Sequence, residues 1–443
     1  MVRRRDVLLG GAALGAFGVA GCGAAQIPSA TGDAAHLAAS SAFPLGVASG
    51  EVSHERAVLW TRYVGASTLR LTVLPEEGGP PLIERRPVSL ADGGFAHEIV
   101  QGLRPGTVYR YVFEEAVDTD PQQMEGAFRT AIHPLSTERI VFTASACSRN
   151  GMDFSVLTRA AERGDVDLHV LLGDTTYNDG ARTLEEFREK WAENLSRAEY
   201  RLLRARTSVL ATWDDHEVGN DWSGDEMHPE VLQNGTTAFF EHTPVSRSGD
   251  APNRLWRSVR WGRTAEFFVL DGRSERRPET RGTAQAEYLS TAQLEWLERS
   301  LAASPARFKV IINSVPIGAF PGGFQVTGGD RWEAYGEQRE RLLSMIEDRG
   351  NGGVFFVSGD FHMASMGRVA TSGPGAGLVE ILAGPVAARL PNPALTFLSR
   401  PQFSFTTNEP NVGVFHLDPA SGDVHVSWVG RDGATIAQHT FRP

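Results

Sequence analysis

Four short clusters of ionisable residues, each following an apolar run of strand length, constrain this chain more than any other feature. The runs are Ile140–Ala144, Leu168–Leu172, Ser208–Thr212 and Val354–Val357. The clusters that follow are Cys147-Ser148-Arg149-Asn150, Gly173-Asp174-Thr175-Thr176-Tyr177-Asn178-Asp179, Trp213-Asp214-Asp215-His216-Glu217 with Asn220, Asp221 and Trp222 beyond it, and Ser358-Gly359-Asp360-Phe361-His362. Open α/β sheets place their sites at the carboxyl ends of strands. Taken alone, a Gly-Asp after a strand is also what a plain helix N-cap looks like. Asp214-Asp215-His216-Glu217 is harder to explain away, because two flanking tryptophans that pack would bury the charges between them. Buried charges need partners, and a cation is an economical one. Together, carboxylate, imidazole, phenolate and thiolate at four strand ends point to a two-metal constellation.

The strands belong to two textures. From Phe43 to about Thr130, Ala57–Tyr63, Leu69–Leu74 and Val108–Phe113 alternate with a period near two between Gly/Pro turns, which predicts a small β-sandwich over residues 43–132. Beyond it, over 138–443, strands alternate with helical stretches at Phe154–Arg163, Leu184–Leu203, Thr291–Leu301 and Trp332–Arg349, with further strands at Glu266–Leu270 and Lys309–Asn313. That alternation predicts layered α/β architecture. The chain turns strand-rich again after Asp360, ending with Val412–Leu417, Val424–Val429 and Ala434–Phe441. A chain of 443 residues, 41% hydrophobic and 22% charged, is ordinary for a globular protein and needs no disulfide staples.

The first residues are an address rather than fold. Arg3-Arg4-Arg5 precedes an apolar, Gly-rich stretch over Val7–Gly21 that is short for a membrane span. Arg4-Arg5-Asp6-Val7-Leu8 has the look of a twin-arginine export signal, and Val19-Ala20-Gly21-Cys22 that of a lipobox in which Cys22 is lipidated. A plain signal peptide cut nearby, with Cys22 incidental, is the alternative. Residues 22–42 read as a flexible tether. The expectation is a periplasmic or cell-surface lipoprotein held to the membrane by its N-terminus. Loss of residues 1–21 moves the formal charge from −11 to −13, so no nucleic-acid partner is expected. The second of the two cysteines, Cys147, then has no intramolecular partner. Spacing alone favours a buried apolar cysteine there over a metal ligand.

The order Cys147, Gly173-Asp174-x-x-Tyr177, Trp213-Asp214-Asp215-His216-Glu217 and Gly359-Asp360-x-His362 resembles the PhoD-type alkaline phosphatases of the metallophosphoesterase superfamily. Phe43–Gly50 and Leu59-Trp60-Thr61-Arg62 resemble that family's N-terminal β-domain, and Leu270-Asp271-Gly272-Arg273 and Gln293–Leu297 resemble segments of its catalytic domain. Gly-Asp-x-x-Tyr is less specific, since purple acid phosphatases share it. The resemblance implies an N-terminal β-sandwich followed by an αββα catalytic domain. It also implies a centre of Fe3+ and Ca2+. Asp174 would bridge the metals; Cys147, Tyr177 and His362 would hold the ferric ion; Asp215, Asp360 and Asn220 would hold calcium. It thereby reverses the reading of Cys147 that spacing alone favours.

Such a centre implies hydrolysis of phosphate esters by metal-activated water, with charge neutralised on the phosphoryl oxygens. His216 would donate a proton or hydrogen bond, or else be structural; Arg149 would contact phosphate, or else be solvated. Thr175 and Thr176 stand where bulkier residues are usual in relatives, and Ala146, Ser148 and Arg149 around Cys147 are also less usual. These departures bear on substrate preference. The expected partner is a phosphate-ester substrate, monoester or diester, met by a monomer. Rival readings are a phospholipase D-like phosphodiesterase on lipid or cell-wall diesters, a surface lipoprotein binding module, and a redox sensor using Cys147.

Overall fold

A computed structural model of the chain describes residues 40–247, 249–320, 329–348, 352–388 and 401–443. The export signal, Cys22 and nearly all of the tether lie outside the described residues. In the N-terminal region the strands are β1 (Val47–Gly50), β2 (Arg56–Arg62), β3 (Leu69–Pro75), β4 (Ile83–Val88), β5 (Phe95–Gln101), β6 (Val108–Glu115) and β7 (Gln123–Arg129). Strand β3 alternates buried and half-buried residues along its whole length, as a strand with one covered face must. The order β4-β3-β6-β7 forms a four-stranded antiparallel sheet. Leu69, Leu71, Val73, Tyr111 and Phe113 from that sheet pack with Val47, Ala57, Leu59 and Val100 from β1, β2 and β5.

That second face does not stand alone. After β8 (Ile140–Ser145), β9 (Leu168–Leu171) and β10 (Ser208–Ala211), β1 pairs in parallel with β10 through Gly50 and Val209. With β18 (Asn411–Asp418), β19 (Asp423–Gly430) and β20 (Thr435–Phe441) this completes a nine-stranded sheet in the order β20-β19-β18-β8-β9-β10-β1-β2-β5. One face of the N-terminal sandwich is therefore the margin of the large sheet. Every residue of β1 is buried, so the strand has no polar face to offer to solvent as a free edge.

The other large sheet has the order β11-β12-β13-β14-β16-β15-β17. Its strands are β11 (Arg257–Trp261), β12 (Ala265–Val269), β13 (Phe308–Asn313), β14 (Val354–Ser358), β15 (Ala364–Arg368), β16 (Val379–Leu382) and β17 (Phe403–Thr407). The two sheets meet face to face. Phe142 of β8 sits edge-on to Phe267 of β12 at 5.2 Å and stacks on Phe415 of β18 at 4.3 Å. Strands β8, β9, β10, β13 and β14 are buried along their whole length, which is why they read as unbroken apolar runs.

Helices cover both outer faces. Over the nine-stranded sheet lie α1 (Ser155–Ala161), α2 (Leu184–Leu195), α3 (Ala198–Arg206) and α4 (Pro229–His242); α5 (Thr291–Ala303) and α6 (Gly336–Asp348) cover the other. The layering is αββα, as the family resemblance implies and as the alternation of strands and helices, which predicts layered α/β architecture, allows. Helix α2 begins at a capping box in which Thr183 and Glu186 satisfy each other's backbone amides. The helix expected from Trp332 opens as a 3-10 turn, Trp332–Tyr335, before α6.

On the helix-covered face of the nine-stranded sheet, His169 on β9 contacts Thr143 Oγ1 at 2.7 Å and Ser145 Oγ at 2.9 Å, both on β8. Burial pushes its pKa from the ordinary 6.5 down to about 3. The folded protein thus keeps His169 neutral where the unfolded chain would protonate it, and stability from this group falls as pH drops from 6.5 towards 3. A His169→Phe variant should show a shallower loss of unfolding free energy across that window, by up to about 1.4 kcal/mol per pH unit. Denaturant unfolding at a series of pH values measures the slope; parallel slopes for variant and wild type would refute it.

Candidate metal centre

The carboxyl ends of strands from both large sheets open into one place. Cys147 follows β8, Asp174 and Tyr177 follow β9, Asp214, Asp215 and His216 follow β10, and Asp360 and His362 follow β14. The loops approach so closely that only glycine fits at two of the joints. A Cβ on Gly173, which has φ of +105°, would lie 2.5 Å from Asp214 Cβ; one on Gly359 would lie 2.6 Å from Ala146 Cβ. The Gly-Asp pairs owe their form to this convergence. Beyond them the backbone is strained: Cys147, Asp174, Asp360 and His362 all have positive φ, between 51° and 62°. Non-glycine residues occupy that region at a cost, and such strain concentrates at functional sites.

The donor atoms form overlapping groups. Cys147, Asp174 and His362 bring ligand atoms within 4.8 Å of one another, as do Asp174, Asp215 and His216, and Asp214, Asp215 and Asp360. Asp174 is common to the first two groups. Tyr177 joins the first, its hydroxyl 3.1 Å from Asp174 Oδ2 and 3.0 Å from His362 Nε2. The Cys147 thiol points at the Asp360 carbonyl at 3.6 Å.

Second contacts hold the loops. Glu217 accepts from the backbone amides of Asp174 at 3.1 Å, Thr175 at 2.6 Å and Asp214 at 2.8 Å, pinning the β9 loop to the β10 loop. Arg273, fully buried, reaches Asp214 Oδ1 at 2.6 Å, Asp330 at 2.7 Å and Asp215 at 3.6 Å. Asp179 lies 2.7 Å from His216 Nδ1, and the His216 ring stacks on Tyr177 with centroids 4.0 Å apart. Thr175 and Thr176 are buried; Thr176 Oγ1 donates to the Lys190 carbonyl, so these positions pack behind the loop.

Charge is unbalanced here. Burial, then neighbouring carboxylates, push the Asp174 and Asp360 carboxyls well above the usual range. Asp214 rises to about 6 and Glu217 to about 7, burial being the main cause in each. Burial and the Asp174 charge also push the Cys147 thiol and the Tyr177 phenol up. Burial lowers His362 to about 4. Asp215 is the exception: burial raises it, but Arg273 and His216 outweigh burial and leave it below the usual value. Asp214 Oδ2 and Asp215 Oδ1 are buried and, among the described residues, have no hydrogen-bond donor. Cations would satisfy all of this at once, favouring carboxylate, thiolate and phenolate together. The residues present fit a centre of more than one metal ion.

Seven of the expected site residues therefore converge: Cys147, Asp174, Tyr177, Asp215, His216, Asp360 and His362. Asn220 lies exposed, its backbone amide donating to Asp179 Oδ1 at 2.8 Å. Arg149 is also exposed, near enough for its charge to lower the His362 pKa. Asp214 was visible in its cluster without a role of its own. Asp179 closes the second cluster and Arg273 the Leu270–Arg273 segment, neither with a role of its own in the sequence; Asp330 carries no local signal, since its partners Arg273 and Arg276 lie far away in sequence.

Facing sheets with donors at their strand ends define a layered α/β fold shared with a purple acid phosphatase from yellow lupin seeds (TM-score 0.65, 14% identity, 89% of this chain and 73% of that one). A solved structure of PhoD is similar over 90% of this chain and 89% of its own, with TM-score 0.77 and 21% identity. The chain belongs to the PhoD-like phosphatase family, whose profile matches residues 141–432; the profile of that family's N-terminal domain matches residues 29–132. Alkaline phosphatase D of Bacillus subtilis (strain 168) is 25% identical over 379 residues, 72% of this chain and 64% of that relative's length.

Removing the Glu217 carboxylate would strand three amides in the crowded loops. Glu217→Ala should lower unfolding stability by about 3 kcal/mol or more, with Glu217→Gln costing less. Denaturant melts of the two variants measure it; a loss under about 1 kcal/mol for alanine would mean the loops hold without this anchor.

Proposed function

We propose that this chain is a metal-dependent phosphoesterase that hydrolyses phosphomonoesters, phosphodiesters or both outside the cytoplasmic membrane. The observation that carries the reading is Asp174, one carboxylate common to two adjacent donor groups. Family membership supports the activity.

In this reading Asp174 would be the carboxylate shared by two cations. Cys147, Tyr177 and His362 would hold Fe3+, while Asp215 and Asp360, joined by Asn220 if its exposed side chain turns inward, would hold Ca2+, which takes oxygen ligands. Bound there, the cations supply activation of water and neutralisation of phosphoryl charge. The protein's own residues orient and protonate. Asp179 takes Nδ1 of His216, which leaves Nε2 as the nitrogen that can serve the substrate. Burial pushes the His216 pKa down, but the Asp179 hydrogen bond and the Asp215 charge prevail and raise it. His216 Nε2–H accordingly donates to the phosphoryl or leaving oxygen. Stacking against Tyr177 limits the swing of its ring. Arg149 adds positive charge at the exposed side and favours an anionic ester. Twin-arginine export, lipid attachment at Cys22, a monomeric state and a β-sandwich unit over 43–132 ahead of a catalytic unit over 138–443 complete the proposal.

A chromogenic phosphomonoester and the matching diester, each assayed with and without a chelator, test it directly. Chelator-sensitive turnover is expected, with Asp174→Ala reduced to background and His216→Ala slowed by roughly 10²–10⁴ in kcat. Metal-loaded protein that cleaves neither ester would remove the reading. The iron assignment has its own check. Phenolate and thiolate on ferric iron absorb visible light, so the protein should be coloured and Tyr177→Phe should shift the band; a colourless active protein unchanged by that substitution would rule iron out.

A further inference from the structure

A cationic cavity of about 320 Å³ lies where the turn after β1, the chain after α4 and strand β11 meet. Arg56, Arg247, Arg254, Arg257 and Arg260 line it with Trp256, and among the described residues Glu51 is the carboxylate in its wall. None of the candidate metal ligands reaches it. In a chain of net charge −11 this concentration of guanidinium runs against the overall sign.

Glu51 is already engaged. Its Oε1 pairs with Arg257 Nε at 2.8 Å, and its Oε2 accepts from Ser246 N at 3.1 Å and Ser246 Oγ at 2.5 Å, with Arg56 at 3.7 Å. Arg257 also donates to the carbonyls of Leu255 at 2.8 Å and Ala211 at 3.0 Å. These residues build the wall. Arg247 lies over the Phe240 ring at 4.8 Å and Arg254 over Trp256 at 4.9 Å, which leaves guanidinium edges open. Among the described residues, no carboxylate lies within ion-pair distance of Arg247, Arg254 or Arg260.

A second, larger cavity of about 780 Å³ adjoins the first and shares Arg254 and Trp256 with it. Met227, Pro229, Leu232 and Pro252 make it largely apolar. Its carboxylate, Glu275, is occupied by Trp256 Nε1 at 2.9 Å, Ser290 Oγ at 2.6 Å and Gln293 Nε2 at 3.0 Å. Open guanidiniums beside an apolar trough match a ligand with a multiply charged head and an apolar body. Guanidinium forks suit phosphoryl oxygens in geometry as well as charge.

We infer that the paired cavities form a binding site, separate from the metal centre, for an amphiphilic organophosphate whose phosphoryl group sits among Arg247, Arg254 and Arg260 and whose apolar part lies along the trough. The probe is hexylphosphonate, which resists ester hydrolysis, titrated calorimetrically into the metal-loaded protein. Two binding events are expected. Asp174→Ala should remove one, and the double variant Arg254→Ala/Arg260→Ala should weaken the other about tenfold or more, with turnover of a small chromogenic ester unchanged. The double lysine variant, which keeps charge but not the fork, should fall between. Inorganic phosphate should bind this second site at least about tenfold more weakly than hexylphosphonate, given the apolar area left unfilled. A single event indifferent to the arginine substitutions overturns the site. Equal affinity for inorganic phosphate overturns the role of the trough, and tighter binding of hexanoate overturns the phosphoryl assignment.

Discussion

Arg273 has no exposure to solvent and faces Asp214, Asp215 and Asp330 together, while Arg276 shares the same oxygen of Asp330. A guanidinium taken wholly out of water is costly unless its donors are filled, and these carboxylates fill them. The same arrangement decides which carboxylates remain for other work. Asp214 turns one oxygen to Arg273 and leaves the other without a donor; Asp215 is held ionised by the same cation. Arg273 thus neutralises part of the charge delivered by the strand ends and leaves a negative remainder around Asp174 and Asp360. That remainder is what a cation centre requires.

Holding the remainder in place takes a second device, because like charges packed together would otherwise push their loops apart. Glu217 is the clearest case. Its carboxylate adds to the negative charge, yet it is spent on three backbone amides belonging to the β9 and β10 loops. It serves as an internal cap that fixes the positions of Asp174 and Asp214. Asn178 extends the same tie: its side-chain amide donates to the Glu217 carbonyl at 2.8 Å, and its backbone N–H donates to the His216 carbonyl at 2.8 Å. With the peptide groups tied this firmly, positive φ at Cys147, Asp174, Asp360 and His362 is sustained by surroundings that leave no alternative.

The parts legible in the sequence are those with local causes. Runs such as Lys309–Asn313 and Val354–Val357 fall on strands because parallel strands covered on both faces must be apolar throughout. Glycine before Asp174 and Asp360 marks close approach, and the clusters at strand ends locate the centre. Helix α4 escaped notice because Gly235-Thr236-Thr237 weakens its helical pattern; a Cβ at Gly235 would lie 3.0 Å from Val218, so the glycine serves helix packing. The sharing of a sheet between β1 and β10 is invisible in any local window. Cys147 shows why residue type alone is ambiguous. It is buried within the apolar cluster between the sheets, as spacing alone suggests, and its sulfur is still within ligand distance of Asp174 and His362.

The continuity of the nine-stranded sheet bears on how the two regions work together. Strand β10, whose end delivers Asp214 through Glu217, has β9 on one side and β1 on the other. Its position is therefore fixed by the N-terminal region as much as by its own neighbours. Arg257 adds a second tie by linking Glu51, just past β1, to the Ala211 carbonyl at the last residue of β10. The N-terminal strands are thus part of the scaffold that aims the carboxylates, and a disturbance at Glu51 has only the length of the β10 turn to cross before it reaches Asp214.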